Sequence, residues 1–308
     1  MFSVHDPISP WLRSRGVPHL LVGVLHAVVI GVALVGLSLA LGRLVRPWEN
    51  DAFGFWSAWK DGNLYDLRWL DVGAYVYAPV LAQIAYPLTL LSWPTFSIVW
   101  NVAQLGALIG ITGPVWAAAL IWLLPWPTLP GYDNAVLATL ENGNPMIILG
   151  MSVVAAYRWP AFWALAILMK VTPVIGLVWF AVRREWTRLA IAAGATAILS
   201  GVSFVVAPQL WVDWVALLLD AAGKDTVSRE IIPLPLAVRG LAALAIIVWG
   251  ARTDRYWTVP VGVMLSLPAI ALGGYAVAVG ALAFLRLPYI PRLWSRGGGN
   301  AVAHRTTA

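Results

Sequence analysis

Residues 20–42 of this chain contain no Asp, Glu, Lys or Arg, and long apolar blocks recur as far as residue 285. As a helix, a run of that length spans the roughly 30 Å hydrocarbon core of a bilayer. In lipid every backbone N–H and C=O must be satisfied within the protein, which leaves only helices or a closed barrel. A barrel would read as short segments of alternating polarity, and the blocks here are continuous. The expected fold class is therefore an all-α polytopic membrane protein. The 11% of charged residues agrees, since a soluble domain carries roughly 25%.

The net charge of +6 would point to nucleic acid in a soluble chain. Here the basic residues sit at the ends of apolar blocks, where the positive-inside rule and anionic lipids account for them, so no nucleic-acid partner is expected. With no cysteine, disulfides, thiolate ligands and cysteine nucleophiles are excluded. His5, His19, His26 and His304 are too scattered to form a metal cluster, and His26, inside the first run, reads as structural. No nucleotide-binding glycine loop, zinc motif or nucleophile elbow is present.

The later blocks fall at 75–91 (interrupted by Pro79 and Pro87), 95–111, 115–129, 146–157, 159–182, 187–207, 234–250 and 257–285. Thr112-Gly113-Pro114 reads as a tight turn, 131–145 as a polar break and 208–233 as a mixed loop. Arg13 and Arg15 precede a run too long for a signal peptide, which reads as a retained first helix with a cytoplasmic start. Further basic clusters lie at Arg158, Arg183/Arg184/Arg188, Arg252/Arg255 and Arg286/Arg292/Arg296. Placing all of them inside requires 159–182 and 257–285 each to go out and return, turning near Pro173 and Pro268. It also makes 75–91 a re-entrant helix in the outer leaflet. The prediction is roughly ten short or broken crossings in one domain, 1–290, of a multi-pass plasma-membrane protein. An extracytoplasmic loop at 43–94 would carry juxtamembrane helices, and 291–308 would be a disordered cytoplasmic tail.

In that topology Asp51, residues 142–144, Lys170 and the 208–233 segment converge on the outer face. Five of the 14 acidic residues lie between Glu49 and Asp71, among Phe53, Phe55, Trp56 and Trp59. Carboxylates are costly in hydrocarbon and belong in water beside it. Asp51 is the first candidate, as a general base whose pKa partial burial would tune. It fits equally well as the N-cap of a helix starting at Ala52, and Glu49 competes for the same role. Lys170 interrupts an apolar stretch, either as a point charge for the phosphate of a lipid-linked substrate or as a snorkelling side chain. Asn142, Gly143 and Asn144 fit either sugar hydroxyls or a turn. Lys224, Arg229 and Arg239 break the positive-inside pattern. They suit a phosphate or pyrophosphate, or pairing with Asp225 and Glu230.

The order of these features resembles the GT-C superfamily of polyprenyl-phosphate-sugar-dependent glycosyltransferases, and within it glycosyltransferase family 87. The resemblance is carried by Asn50-Asp51-Ala52-Phe53, Asp61-Gly62-Asn63-Leu64-Tyr65-Asp66 and Tyr75-Val76-Tyr77-Ala78-Pro79. Trp100-Asn101, Glu141-Asn142-Gly143-Asn144 and Leu168-Met169-Lys170-Val171-Thr172-Pro173 before Arg183-Arg184-Glu185-Trp186 complete it, so that it covers residues 20 to about 215. The family usually reads Gly-Gln-x-Asn where this chain has Glu141-Asn142-Gly143-Asn144. The resemblance implies a GT-C-like fold, with Asp51 as the first-loop catalytic aspartate on the extracytoplasmic side. It also implies a polyprenyl-phosphate-linked donor (mannose is the best-known sugar), a lipid or glycan acceptor and inversion at the anomeric carbon. On this reading Lys170 and Arg229, or a divalent cation, balance the leaving phosphate, and Tyr77, Asn142 and Asn144 contact substrate. No other cofactor or metal site is implied. A non-enzymatic lipid or sugar carrier would show internal repeats, and none is visible between the halves. An inactive membrane scaffold would leave Asp51 dispensable.

Overall fold

The computed structural model describes residues 16–45, 51–60, 64–67, 71, 73–123, 134–222, 232, 234–270 and 273–285. Its elements are helical, with no strand among the described residues. Four helices are long and apolar enough to cross a membrane: α1 (His19–Leu44), α4 (Trp93–Thr112), α10 (Trp186–Val206) and α12 (Leu236–Thr253). The chain is a multi-pass membrane protein.

The four spans differ in what surrounds them. About half of α4 is buried inside the protein, against 17%, 11% and 28% for α1, α10 and α12. The central member is therefore α4, and the others turn most of their apolar surface to lipid. Its bounds are chemical: Pro94 sits in the first turn, where a missing N–H costs nothing, and Gly113 ends it at φ +78°, a conformation glycine adopts freely. In the second half of α1 the buried residues Ala33, Leu37, Ala40 and Leu44 form a stripe at helical spacing. That half lies against α5 (Pro114–Leu123), whose Trp122 indole donates to the Gly36 carbonyl at 2.9 Å.

The remaining helices are short: α2 (Asp51–Ser57), α3 (Pro79–Thr89), α6 (Ala135–Glu141), α7 (Met146–Ala156) and α11 (Pro208–Ala222). At 1.5 Å per residue the 11-residue α3 is about 16 Å long, too short to cross. The segment 208–233, expected as a mixed loop, instead begins with α11. Trp211, Trp214 and Leu217 recur at helical spacing, with Asp213 and Asp220 on the polar side. The polar break at 131–145 likewise contains α6, capped by Asn134, whose Oδ1 accepts from the backbone of Val136 and Leu137 at 2.8 and 3.0 Å.

Two long apolar stretches are broken in the middle. A 3-10 turn (Pro160–Phe162) leads into α8 (Trp163–Met169). After Lys170 and Val171 a second 3-10 turn (Thr172–Leu177) leads into α9 (Val178–Val182). A Cβ at Gly176 would overlap the Trp163 ring, so the two arms fold back on each other around Lys170. A straight helix would hold residues 163 and 176 about 20 Å apart. Similarly α13 (Thr258–Ser266) and α14 (Gly274–Ala278), which continues as a 3-10 turn (Val279–Ala283), flank a break near Pro268.

Each break leaves carbonyls without an intrahelical donor. The Ala78 N–H reaches the Leu168 carbonyl at 3.2 Å. At the second break Arg239, 1% exposed, donates from Nε to Leu234 (2.9 Å), from one terminal nitrogen to Leu265 and Leu267 (3.3 and 2.7 Å) and from the other to Pro268 (3.1 Å). The sequence offered this arginine to a phosphate or to an acidic neighbour. In the structure its guanidinium holds three carbonyls at the broken helix and one just before α12, where five fixed donors serve better than a single ammonium.

Candidate active site

Asp51 opens α2, the short aromatic helix that follows the first span. A Cβ at Gly54 would come 2.6 Å from the Gly73 carbonyl oxygen, so α2 lies directly on the backbone of 73–74. Phe55 anchors it on the other side, with ring centroids 4.7 Å from Trp100 of α4 and 4.9 Å from Tyr77.

Opposite Asp51 stands the turn between α6 and α7. Glu141 closes α6 and pairs with Arg43 at the end of α1 (2.5 Å). Gly143 takes φ +63°, and a Cβ there would lie 2.5 Å from Cβ of Ala52. Only glycine lets this turn rest on the first turn of α2. Asn144 comes next: its Oδ1 accepts from the Met146 N–H at 3.3 Å, which orients the amide, and its Nδ2 donates to Asp51 Oδ2 at 2.6 Å. Asn142 behaves differently. It caps α6, and its side-chain nitrogen is buried with no hydrogen-bond partner among the described residues.

Lys170 arrives from the first helix break in extended backbone. Its Nζ stands 4.9 Å from the centroid of the Tyr77 ring. Among the described residues it makes no hydrogen bond and no ion pair. Tyr77 is 5% exposed and its backbone carbonyl accepts the Tyr65 hydroxyl at 2.8 Å. The ring expected to meet substrate is thus closed in and serves as the seat of Lys170.

The Asp51 carboxyl reaches the protein surface, yet packed side chains crowd it. That desolvation pushes its pKa above the usual carboxylate range, while the Asn144 hydrogen bond and the Lys170 charge pull it down. A separate cleft of about 310 Å³ is lined by Tyr65, Asp66 and residues of α11, among them Asp213, Leu217 and Asp220. Among the described residues no three His, Cys, Asp or Glu side chains are placed to hold a metal ion.

Of the residues singled out in sequence, the structure brings together Asp51, Asn144, Lys170 and Tyr77, and turns Asn142 away. Glu49 and Arg229 lie outside the described residues. Sequence reasoning gave no role of its own to Trp100, whose indole donates to the Gly143 carbonyl at 2.7 Å, or to the close approach of Gly143 to Ala52. The available signal was an Asn-Gly pair beside an apolar helix, which marks a left-handed turn.

A family model described as Glycosyltransferase family 87 matches residues 75–296, well over half of the chain. The chain belongs to glycosyltransferase family 87. The matched span contains Tyr77, Asn144 and Lys170. A polyprenol-phosphate-mannose-dependent alpha-(1-2)-phosphatidylinositol pentamannoside mannosyltransferase of Mycolicibacterium smegmatis is 24% identical over 163 residues, covering 47% of this chain and 39% of that protein. No solved structure matches this family member.

Proposed function

We propose that this family 87 enzyme moves a sugar, mannose first among the candidates, from a polyprenyl phosphate to a hydroxyl of a lipid or glycan acceptor. The observation that carries the reading is a carboxylate held by an amide and facing a lysine that, among the described residues, no other side chain neutralises.

The acceptor oxygen attacks the anomeric carbon from the face opposite the phosphate, forming the new C–O bond as the sugar–phosphate bond breaks with its electron pair. Asp51 takes the acceptor proton, and Asn144 keeps the carboxylate oriented. Lys170 stands where charge grows on the leaving lipid phosphate, with Arg229 proposed as a second cation. The configuration inverts. Seating two lipid substrates at one interfacial site supplies much of the acceleration.

The donor class is supported by the name of the mycobacterial relative. An extracytoplasmic site is supported by the separation of the basic ends. Along α12, Arg239 and Asp254 are about 22 Å apart. Arg239 secures the break that leads to Gly273, which packs against Asn144, while Asp254 pairs with Arg183 of a basic cluster. The same reading takes residues 1–290 as one membrane domain, with 43–94 as its outer loop.

The test is transfer by the purified full chain in lipid nanodiscs, using a panel of polyprenyl-phosphate sugars with membrane lipid extract as acceptor. Wild type should transfer one of them, and Asp51→Asn should lose roughly 10²–10⁴-fold while still binding the donor. Transfer that survives in Asp51→Asn would move the base elsewhere. Donor flux across vesicles without transfer would instead support a carrier.

A further inference from the structure

The Asp51–Asn144 contact joins two chain segments that have no covalent reason to meet. Asp51 follows α1 and begins α2; Asn144 ends the turn after α6. Both segments converge on a single turn of α4, the most buried span.

Trp100 and Asn101 are neighbours on that turn, so their side chains leave the helix in directions about 100° apart. The Trp100 indole N–H goes to the Gly143 carbonyl at 2.7 Å, one residue before Asn144. Asn101 is fully buried, and its Nδ2 donates to the carbonyl of Leu44, the last residue of α1, at 3.2 Å. That carbonyl has no partner within its own helix. A Cβ on Gly143 would lie 2.5 Å from Ala52 and 3.3 Å from Asn101 Oδ1, so the turn is wedged between α2 and α4.

We infer that Trp100 and Asn101 are positioning residues: acting as a two-armed clamp on α4, they fix the Asn144 amide against the Asp51 carboxylate. This rests on the reading of Asp51 as the base. Neither residue touches the reacting atoms; each acts through the backbone it holds. Deleting the Trp100 N–H frees the Gly143 carbonyl and lets Asn144 drift from the carboxylate it orients.

Three variants test the clamp. Trp100→Phe keeps an aromatic ring for stacking on Phe55 and Phe96 but loses the donor. Asn101→Leu keeps the branched shape of the side chain but loses the donor to the Leu44 carbonyl; it also removes Oδ1, which has no partner among the described residues. Trp122→Phe is the control, deleting an indole–carbonyl bond of the same kind between α5 and α1. The primary readout is infrared titration of the Asp51 carboxyl in the purified full chain, its band identified by its absence from Asp51→Asn. Losing the Asn144 donor moves the midpoint to higher pH.

The clamp predicts that shift in Trp100→Phe and Asn101→Leu and not in Trp122→Phe. It also predicts a kcat about tenfold lower for mannose transfer from polyprenyl-phosphate mannose, with the donor KM little changed. Wild-type midpoints in both clamp variants overturn the inference. Shifted midpoints in a protein that transfers no sugar from any polyprenyl phosphate support the clamp and count against the proposed function.

Discussion

The two ends of this helix bundle treat charge in opposite ways. At the end away from Asp51, Arg183, Arg188, Glu185 and Asp254 answer one another. Arg183 donates to Glu185 at 2.9 Å, to Asp254 and to the Ala251 carbonyl, and Arg188 meets Glu185 at 3.2 Å. Behind them Tyr157, Trp179, Tyr256 and Phe284 close an aromatic cluster with centroids 4.9–6.0 Å apart. At the Asp51 end, among the described residues, Lys170 has a ring and a carboxylate in view but no direct partner, and Asp51 has one amide. Satisfied charges fix a structure; a charge left short of partners in a desolvated place is available to a substrate.

The comparison breaks most visibly at Asp51, where the Asn variant should cost the largest factor. Next comes Lys170→Met, which removes the cation facing the leaving phosphate. Turnover should fall roughly 10²–10³-fold, measured as kcat with polyprenyl-phosphate mannose. Asn144→Ala should cost about tenfold and carry a clearer signature. Asn144 and Lys170 both hold the Asp51 pKa down against desolvation, so removing either raises it. The base works ionised, and activity is lost as pH falls through that pKa. The acid limb of the pH–rate profile should therefore stand above the ordinary aspartate range in wild type, and higher still in Asn144→Ala and Lys170→Met. The smallest effect belongs to the other end. Asp254 is 69% exposed at φ +57°, which asparagine tolerates. Asp254→Asn should leave turnover unchanged and lower the melting temperature by a few degrees at most, since an exposed pair contributes about 1 kcal/mol or less.

Much of this was legible in the chain. The Asn-Gly turn, the Lys-x-Thr-Pro break and the acid beside a spanning helix are local features with local causes, and they led to three of the groups that meet. Asn142 shows the limit: it sits two residues from Asn144 with the same side chain, yet its amide points inward. Composition cannot separate the two, because the outcome depends on a left-handed residue between them and on what that turn rests against. Arg239 is similar. Its charge suited a phosphate or an acidic partner on sequence grounds, and only the position of a broken helix 26–29 residues further along the chain showed that it also serves carbonyls.

By itself the sequence determined that this chain crosses a membrane as helices, because hydrocarbon forbids any other way of satisfying a backbone so apolar in its side chains. It also determined where those helices stop, through Pro, Gly and the scattered charges. Tertiary structure decided which short helices lie inside the protein, which cations are spent on carbonyls, and that α4 gathers the end of α1, the start of α2 and the α6–α7 turn around one carboxylate. Those outcomes turn on contacts between residues 43 to 93 positions apart, and such contacts are settled by how whole helices pack.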